Sequence, residues 1–245
     1  MSVVEQARPE SERGTGVPGS PRFGPILVLW MVLTVALHGA LWVAGFPSAR
    51  LAEAVEQGAA RVESRGIGEI SDDLIRKTIA TQHKSLPFWT TLAWLGDFLA
   101  DPLSLAARAL VLATVFSALA ALVGRPVGYD LALAEASAAQ GFWVLGLAVR
   151  AGLAVALRRS EVETSLALLL PAGPRPAWLW LLFRQADVFI GIGWLCLARG
   201  AWRRGQTSLV VALLVCGAFG LVEALARAGL EFVVGSGMRL DMLPR

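Results

Sequence analysis

Arg184 and Asp187 stand three residues apart inside AWLWLLFRQADVFIGIGWLCLAR, the apolar, tryptophan-rich stretch from Ala177 to Arg199. At about 1.5 Å per residue the stretch is long enough to cross a bilayer, and the spacing puts both charges on one helix face. Charges inside such a segment are costly and face protein or a water-filled cavity. His38, Arg108, Arg150 and Glu223 are further ionisable residues within apolar runs. Two kinds of chemistry are open to this set. One is structural ion pairing, with Arg108 and Glu223 snorkelling to the interface while Arg150 and Arg184 pair with Asp187. The other is a cavity that binds an ion, a lipid headgroup or an anionic ligand.

Catalysis finds no support. The chain has two histidines, His38 and His83, and His83 reads as a solvated loop residue. H-E-x-x-H, paired intramembrane aspartates and a G-x-S-x-G elbow are absent. Arg184 and Asp187 resemble no acid–base pair able to work without a nucleophile or metal. Cys196 and Cys216 fall inside expected spans, where thiols serve packing. No enzyme activity, cofactor or metal is therefore expected. Glycine inside spans permits close helix approach, a role expected for Gly191, Gly193, Gly217 and Gly220.

The elements that must hold these charges are helices in a membrane. A 245-residue chain that is 56% hydrophobic and 17% charged, with mean hydropathy +0.60, is too apolar for a soluble domain of its size. Of 22 basic residues only Lys77 and Lys84 are lysine, a bias that reads as the genome composition of a GC-rich bacterium. No basic run interleaved with aromatics points to nucleic acid. The expected fold is an all-α membrane protein, a five-span transmembrane helical bundle in the bacterial inner membrane. Membrane lipids are its expected surroundings.

Residues 1–22 read as a disordered tail and 23–46 as span one, retained because Pro47-Ser48-Ala49 is a poor cleavage site. Residues 47–101 form the polar insertion. Leu51, Val55, Ala59 and Val62 recur at helical spacing, and Arg65-Gly66-Ile67-Gly68 ends that helix. Ser71 is placed to cap a second helix. This region is expected to dock on the membrane part or to receive a protein partner. Pro87 to Ala100 reads as an interfacial or re-entrant helix. Asp101-Pro102 then reads as the start of span two, 103–123. Span three, 137–157, belongs to a helix capped by Asp130, and a stub at Leu166–Leu170 precedes Pro171-Ala172-Gly173-Pro174. Spans four and five are 177–198 and 207–226, and 227–245 is a short frayed tail.

Five spans put the termini on opposite sides, with residues 47–101 on the side called B. Measured from the B end of each span, Glu223 lies about 5 Å deep, Arg108 about 8 Å, Arg150 and Arg184 about 10 Å, His38 about 12 Å and Asp187 about 15 Å. The ionisable residues thus form a layer in the B-side half. Lys and Arg are more numerous on side B, which favours a cytoplasmic side B.

The segment from about residue 70 to 226 resembles the YIP (Ypt/Rab-interacting protein) domain family in its bacterial branch. The resemblance rests on the acidic helix ISDDLIRKTIATQHK, the turn LVGRPVGYDLALAEAS, the stub LLLP and the span LLFRQADVFIGIGWLCLARG, in which Asp187, Phe189 and Trp194 match an Asp-x-Phe element followed by tryptophan. It implies a five-span bundle with a cytosolic N-terminus, opposite to the Lys/Arg count, and a non-enzymatic adaptor or membrane organiser. The alternative reading of the polar layer is a small transporter or permease subunit.

Overall fold

A computed structural model describes residues 23–66, 72–125, 128–159, 162–170 and 177–239. Apart from one isolated bridge, the described residues carry no β-structure; they form nine α-helices, one π-helical turn and one 3₁₀ turn. Four stretches are long and apolar enough to cross a membrane: Gly24–Val43, Ile75–Leu122, Tyr129–Leu157 and Leu209–Val234. The expected tail 1–22, the Ser71 cap and the turn at 171–174 lie outside the described residues.

Helix α1 (Phe23–Val43) is apolar all round, and Val28, Leu29 and Val32 are more than half exposed on its outer face. An apolar helix left exposed in this way suits lipid rather than water. The chain turns at Gly45, whose φ of +79° suits glycine, into α2 (Phe46–Gly66). The periodic residues Leu51, Val55 and Ala59 are buried, and α2 packs on α3 and α9. The amphipathic stripe is thus covered by the protein's own helices.

Helix α3 (Asp72–Leu95) runs through a π-helical turn at Gly96–Ala100 directly into α4 (Asp101–Leu122). This overturns two expectations. Residues 87–100 are not a separate interfacial helix, and Asp101-Pro102 does not start one. Pro102 has no N–H to give to the carbonyl four residues back, and its ring crowds that carbonyl. The π turn loosens the ladder just there, with the Asp101 N–H bonded to the Gly96 carbonyl five residues back. The cost of proline inside the rod is absorbed by a local widening.

Helix α5 (Tyr129–Ala139) is capped by Gly128, not by Asp130, which sits exposed in its first turn. A kink at Gln140 leads into α6 (Gly141–Leu157). After a 3₁₀ turn at Leu166–Leu169 come α7 (Ala177–Gln185) and α8 (Val188–Arg203). The stretch expected as a continuous fourth span is therefore broken at Ala186–Asp187. Helix α9 (Leu209–Arg239) continues well past residue 226, so residues 227–239 are ordered helix rather than a frayed tail.

The core forms where α4 packs on α1 and α5, and where α8 packs on α5, α6 and α9. Leu112, Ala109, Phe116, Trp143, Leu197 and Ala198 meet there. Gly193 and Gly220 lie directly under the Trp143 and Trp194 rings, as their packing role requires, whereas Gly191 and Gly217 have open space where a Cβ would stand.

Candidate functional site

The site is built where three helices depart from regularity: the break between α7 and α8, the π turn before α4, and the kink at Gln140. Irregular backbone frees polar groups that a straight helix consumes. Each irregularity here carries a buried polar side chain.

At the break, Asp187 has extended backbone, with φ −86° and ψ 143°. Its Oδ1 accepts from the Phe189 N–H at 2.8 Å, and its Oδ2 accepts from the Thr164 hydroxyl at 2.6 Å. Asp187 is thus the N-cap of α8, a position where a carboxylate satisfies orphan amides and faces the positive end of the helix dipole. The segment before the 3₁₀ turn fixes the break from outside, since Leu166 N–H donates to the Ala186 carbonyl at 3.0 Å and Ser165 bridges to Asp187. This corrects the expected ion pair: Arg184 does not meet Asp187. It points instead toward Glu163 (3.5 Å) and Glu231 (3.8 Å), over the ring of Trp180.

Arg108 on α4 and Glu223 on α9 do not snorkel. The Arg108 Nε donates to Glu223 Oε2 at 3.0 Å while Nη2 binds Oε1 of the same carboxylate. Its Nη1 donates to Gln140 Oε1 at 2.7 Å, and its guanidinium lies 4.4 Å from the Trp143 ring centroid. Gln140 is fully buried and its amide donates to the Ala136 carbonyl, so the kink and the ion pair hold each other. Arg227 adds a second cation 3.0 Å from Glu223 Oε1.

His38 on α1 lies between two carboxylates at the π turn. Its Nδ1 is 3.6 Å from Asp97 Oδ1 and its Nε2 is 3.2 Å from Asp101 Oδ2. The Trp42 indole donates to Asp97 Oδ2 at 2.8 Å.

Arg150 on α6 closes the arrangement. Its Nε is buried and makes no hydrogen bond. It lines a cavity of about 40 Å³ together with Thr34, Asp101, Ser104, Asp187 and Arg227. A polar cavity of that size holds a few waters or one small ion. Two acids from irregular backbone and two arginines from regular helices face it, with no cysteine, serine–histidine pair or other activated nucleophile among the lining residues. The arrangement suits binding and charge compensation rather than bond breaking.

Of the six candidates from sequence, the structure brings Arg108 and Glu223 into one ion pair, and Arg150 and Asp187 to one cavity. His38 reaches that cavity through Asp101. Arg184 stands apart with Glu163 and Glu231. Asp97, Asp101, Gln140, Thr164 and Arg227 were missed. Asp97 and Asp101 carried a signal, the four-residue spacing that puts both on one helix face, but Asp101 before proline resembles a helix start.

The chain matches no protein-family model, no curated protein and no solved structure.

Proposed function

We propose that this chain is a non-enzymatic protein of the bacterial inner membrane that binds a small ion or polar solute in the cavity between Asp101, Arg150 and Asp187, acting as a small transporter or permease subunit. The observation that carries the reading is the broken helix α7–α8 opening onto that cavity. Non-helical backbone at membrane depth is tolerated where it is buried in protein or lines a polar space, and discontinuous helices meeting charged side chains are a recurring construction of solute sites. With α7 and α8 read as one interrupted crossing, the bundle has the five spans that the sequence suggests.

The adaptor role implied by the YIP resemblance places function on the polar hairpin α2–α3. The apolar stripe of α2 is already buried against α3 and α9, which leaves that hairpin without its most obvious docking face. The cavity is the better-supported site.

The test is ion-dependent stability of the purified protein in detergent, titrated with sodium chloride, magnesium chloride and sodium phosphate. The expected result is a rise in Tm with one of these salts that is lost in Arg150→Gln and Asp187→Asn, while both variants keep the unliganded Tm of the wild type. Variants that lose yield and Tm together, with no salt-specific stabilisation in the wild type, would make the polar layer structural and sink the reading.

A further inference from the structure

We infer that His38, Asp97 and Asp101 form a binding site for a divalent first-row transition-metal ion where α1 meets the π turn. The inference goes beyond the cavity reading and stands without it. The sequence showed no metal-ligand spacing because one donor lies on α1 and the other two some sixty positions later. The fold brings the three donor atoms within 4.8 Å of one another.

The independent observation is His38 itself. The residue is only 6% exposed, and its Nε2 is buried without a hydrogen bond although Asp101 Oδ2 stands 3.2 Å away. A proton shared between the two would need the carboxylate oxygen close to the axis of the ring N–H. An ion makes the opposite demand. It sits on the Nε2 axis at about 2.0–2.1 Å and holds its other donors well off that axis. Two donors of a tetrahedral ion at that radius are about 3.3 Å apart, the spacing already present between Nε2 and Oδ2. Asp97 has further to close, but it is held facing the ring by the Trp42 indole on its far oxygen. Such outer hydrogen bonds orient a ligating carboxylate.

Charge and donor type agree. Two carboxylates and a neutral imidazole offset a dication, and one nitrogen with oxygen donors suits zinc, manganese, iron(II) or cobalt(II). The side chains of Asp97 and Asp101 remain 28% and 44% exposed, which leaves a route from solvent. Asp101 also lines the cavity, where Arg150 and Arg227 oppose a cation, so the site is expected to bind in the micromolar range rather than as a permanent structural metal.

The experiment uses the full chain in detergent, stripped with EDTA, dialysed, and titrated with Co²⁺ while visible absorption is recorded. One Co²⁺ per chain is expected, with a ligand-field band that Zn²⁺ abolishes by displacement. His38→Ala and Asp101→Asn should each weaken binding at least a hundredfold and Asp97→Asn at least tenfold. Trp42→Phe should weaken it about tenfold, the usual size of an outer-shell effect. His83→Ala should change nothing. If His38→Ala does not fold, the two Asn variants, which keep size and polarity, decide the matter. The inference is overturned if the wild type shows no ligand-field band at saturating Co²⁺. It is equally overturned if binding survives in folded Asp97→Asn and Asp101→Asn, which would place the ion elsewhere.

Discussion

Arg108 on α4 and Glu223 on α9, 115 positions apart in the chain, form a two-point ion pair inside the bundle. Arg108 is 8% exposed, and every direction in which its guanidinium can donate or stack is used by Glu223, Gln140 or Trp143. The pair fixes how α4 and α9 face each other, and through Gln140 it also fixes the α5–α6 kink. A planar fork with five donors suits this role, which a lysine ammonium does not reproduce.

Removing one partner from such a pair leaves the other charge buried and unpaired, which costs about 3–5 kcal/mol. Arg108→Met and Glu223→Met are each expected to lower stability by that order, with Arg108→Lys also destabilising. The double variant is expected to recover part of the loss, because no charge is then stranded on the Arg108 side. Thermal denaturation of the four proteins in one detergent gives the coupling directly. Additive losses would mean that the two residues do not act as a pair.

Asp187 makes a contrasting case, because its role is a cap and not a charge partner. Asp187→Ala is expected to cost about 1–2 kcal/mol, the size of a lost N-cap. Asp187→Asn should cost much less, since an amide oxygen still accepts from Phe189 N–H and the amide nitrogen can donate to Thr164 Oγ1. A Tm series ordered Asp, Asn, Ala is the expected outcome. If Asn proves as damaging as Ala, the negative charge itself is what the fold needs.

The same residue shows what was legible in the sequence. The apolar runs marked α1, α4, α6 and α9, because hydropathy over about twenty residues is a local property. The Leu51, Val55, Ala59 periodicity marked the buried face of α2 for the same reason. The break at Asp187 was hidden, because the run from Ala177 to Arg199 reads as continuous and the hydrogen bond from Leu166 that fixes the break comes from a separate segment. Asp101-Pro102 misled in the other direction. A cap-like pair sits inside a helix because the π turn before it relieves the proline. The polar layer as a whole was legible from depth alone. Its pairing was not, since Arg108–Glu223 and His38–Asp97/Asp101 are made by tertiary packing.

Two glycines two residues apart give a paired test of α6–α8 packing. A Cβ added at Gly193 would stand 2.5 Å from Trp143 Cζ3, whereas one added at Gly191 would meet nothing within 4 Å. Trp143 cannot easily yield, because Arg108 lies against its ring and Trp194 packs edge-on at 5.5 Å. Gly193→Ala is expected to destabilise by about 1–3 kcal/mol, the range for overpacking a close contact. Gly191→Ala should be neutral or stabilise by about 0.5–1 kcal/mol, because alanine is the better helix former. Equal effects at the two positions would show that α8 does not approach α6 as described.

The last prediction concerns how firmly the polar hairpin is held. Val55 is 1% exposed on α2, which packs on α3 and α9, while its neighbour Glu56 is exposed. A carboxylate at position 55 has no cation provided for it, and burying it unpaired costs several kcal/mol. Lifting α2 off the bundle is the cheaper response, since the helix loses only its own apolar contacts and its polar face is already solvated. Val55→Asp is therefore expected to speed amide exchange across residues 46–60 by tenfold or more, while exchange in the buried part of α4 around Leu112 stays slow. Glu56→Ala, one residue away on the open face, should leave both regions as they are. Hydrogen exchange read by mass spectrometry on the two variants separates a local release of α2 from global unfolding, in which α4 would exchange as fast as α2. Unchanged exchange in α2 for Val55→Asp would mean that the stripe is not packed against the bundle and is open to a partner after all.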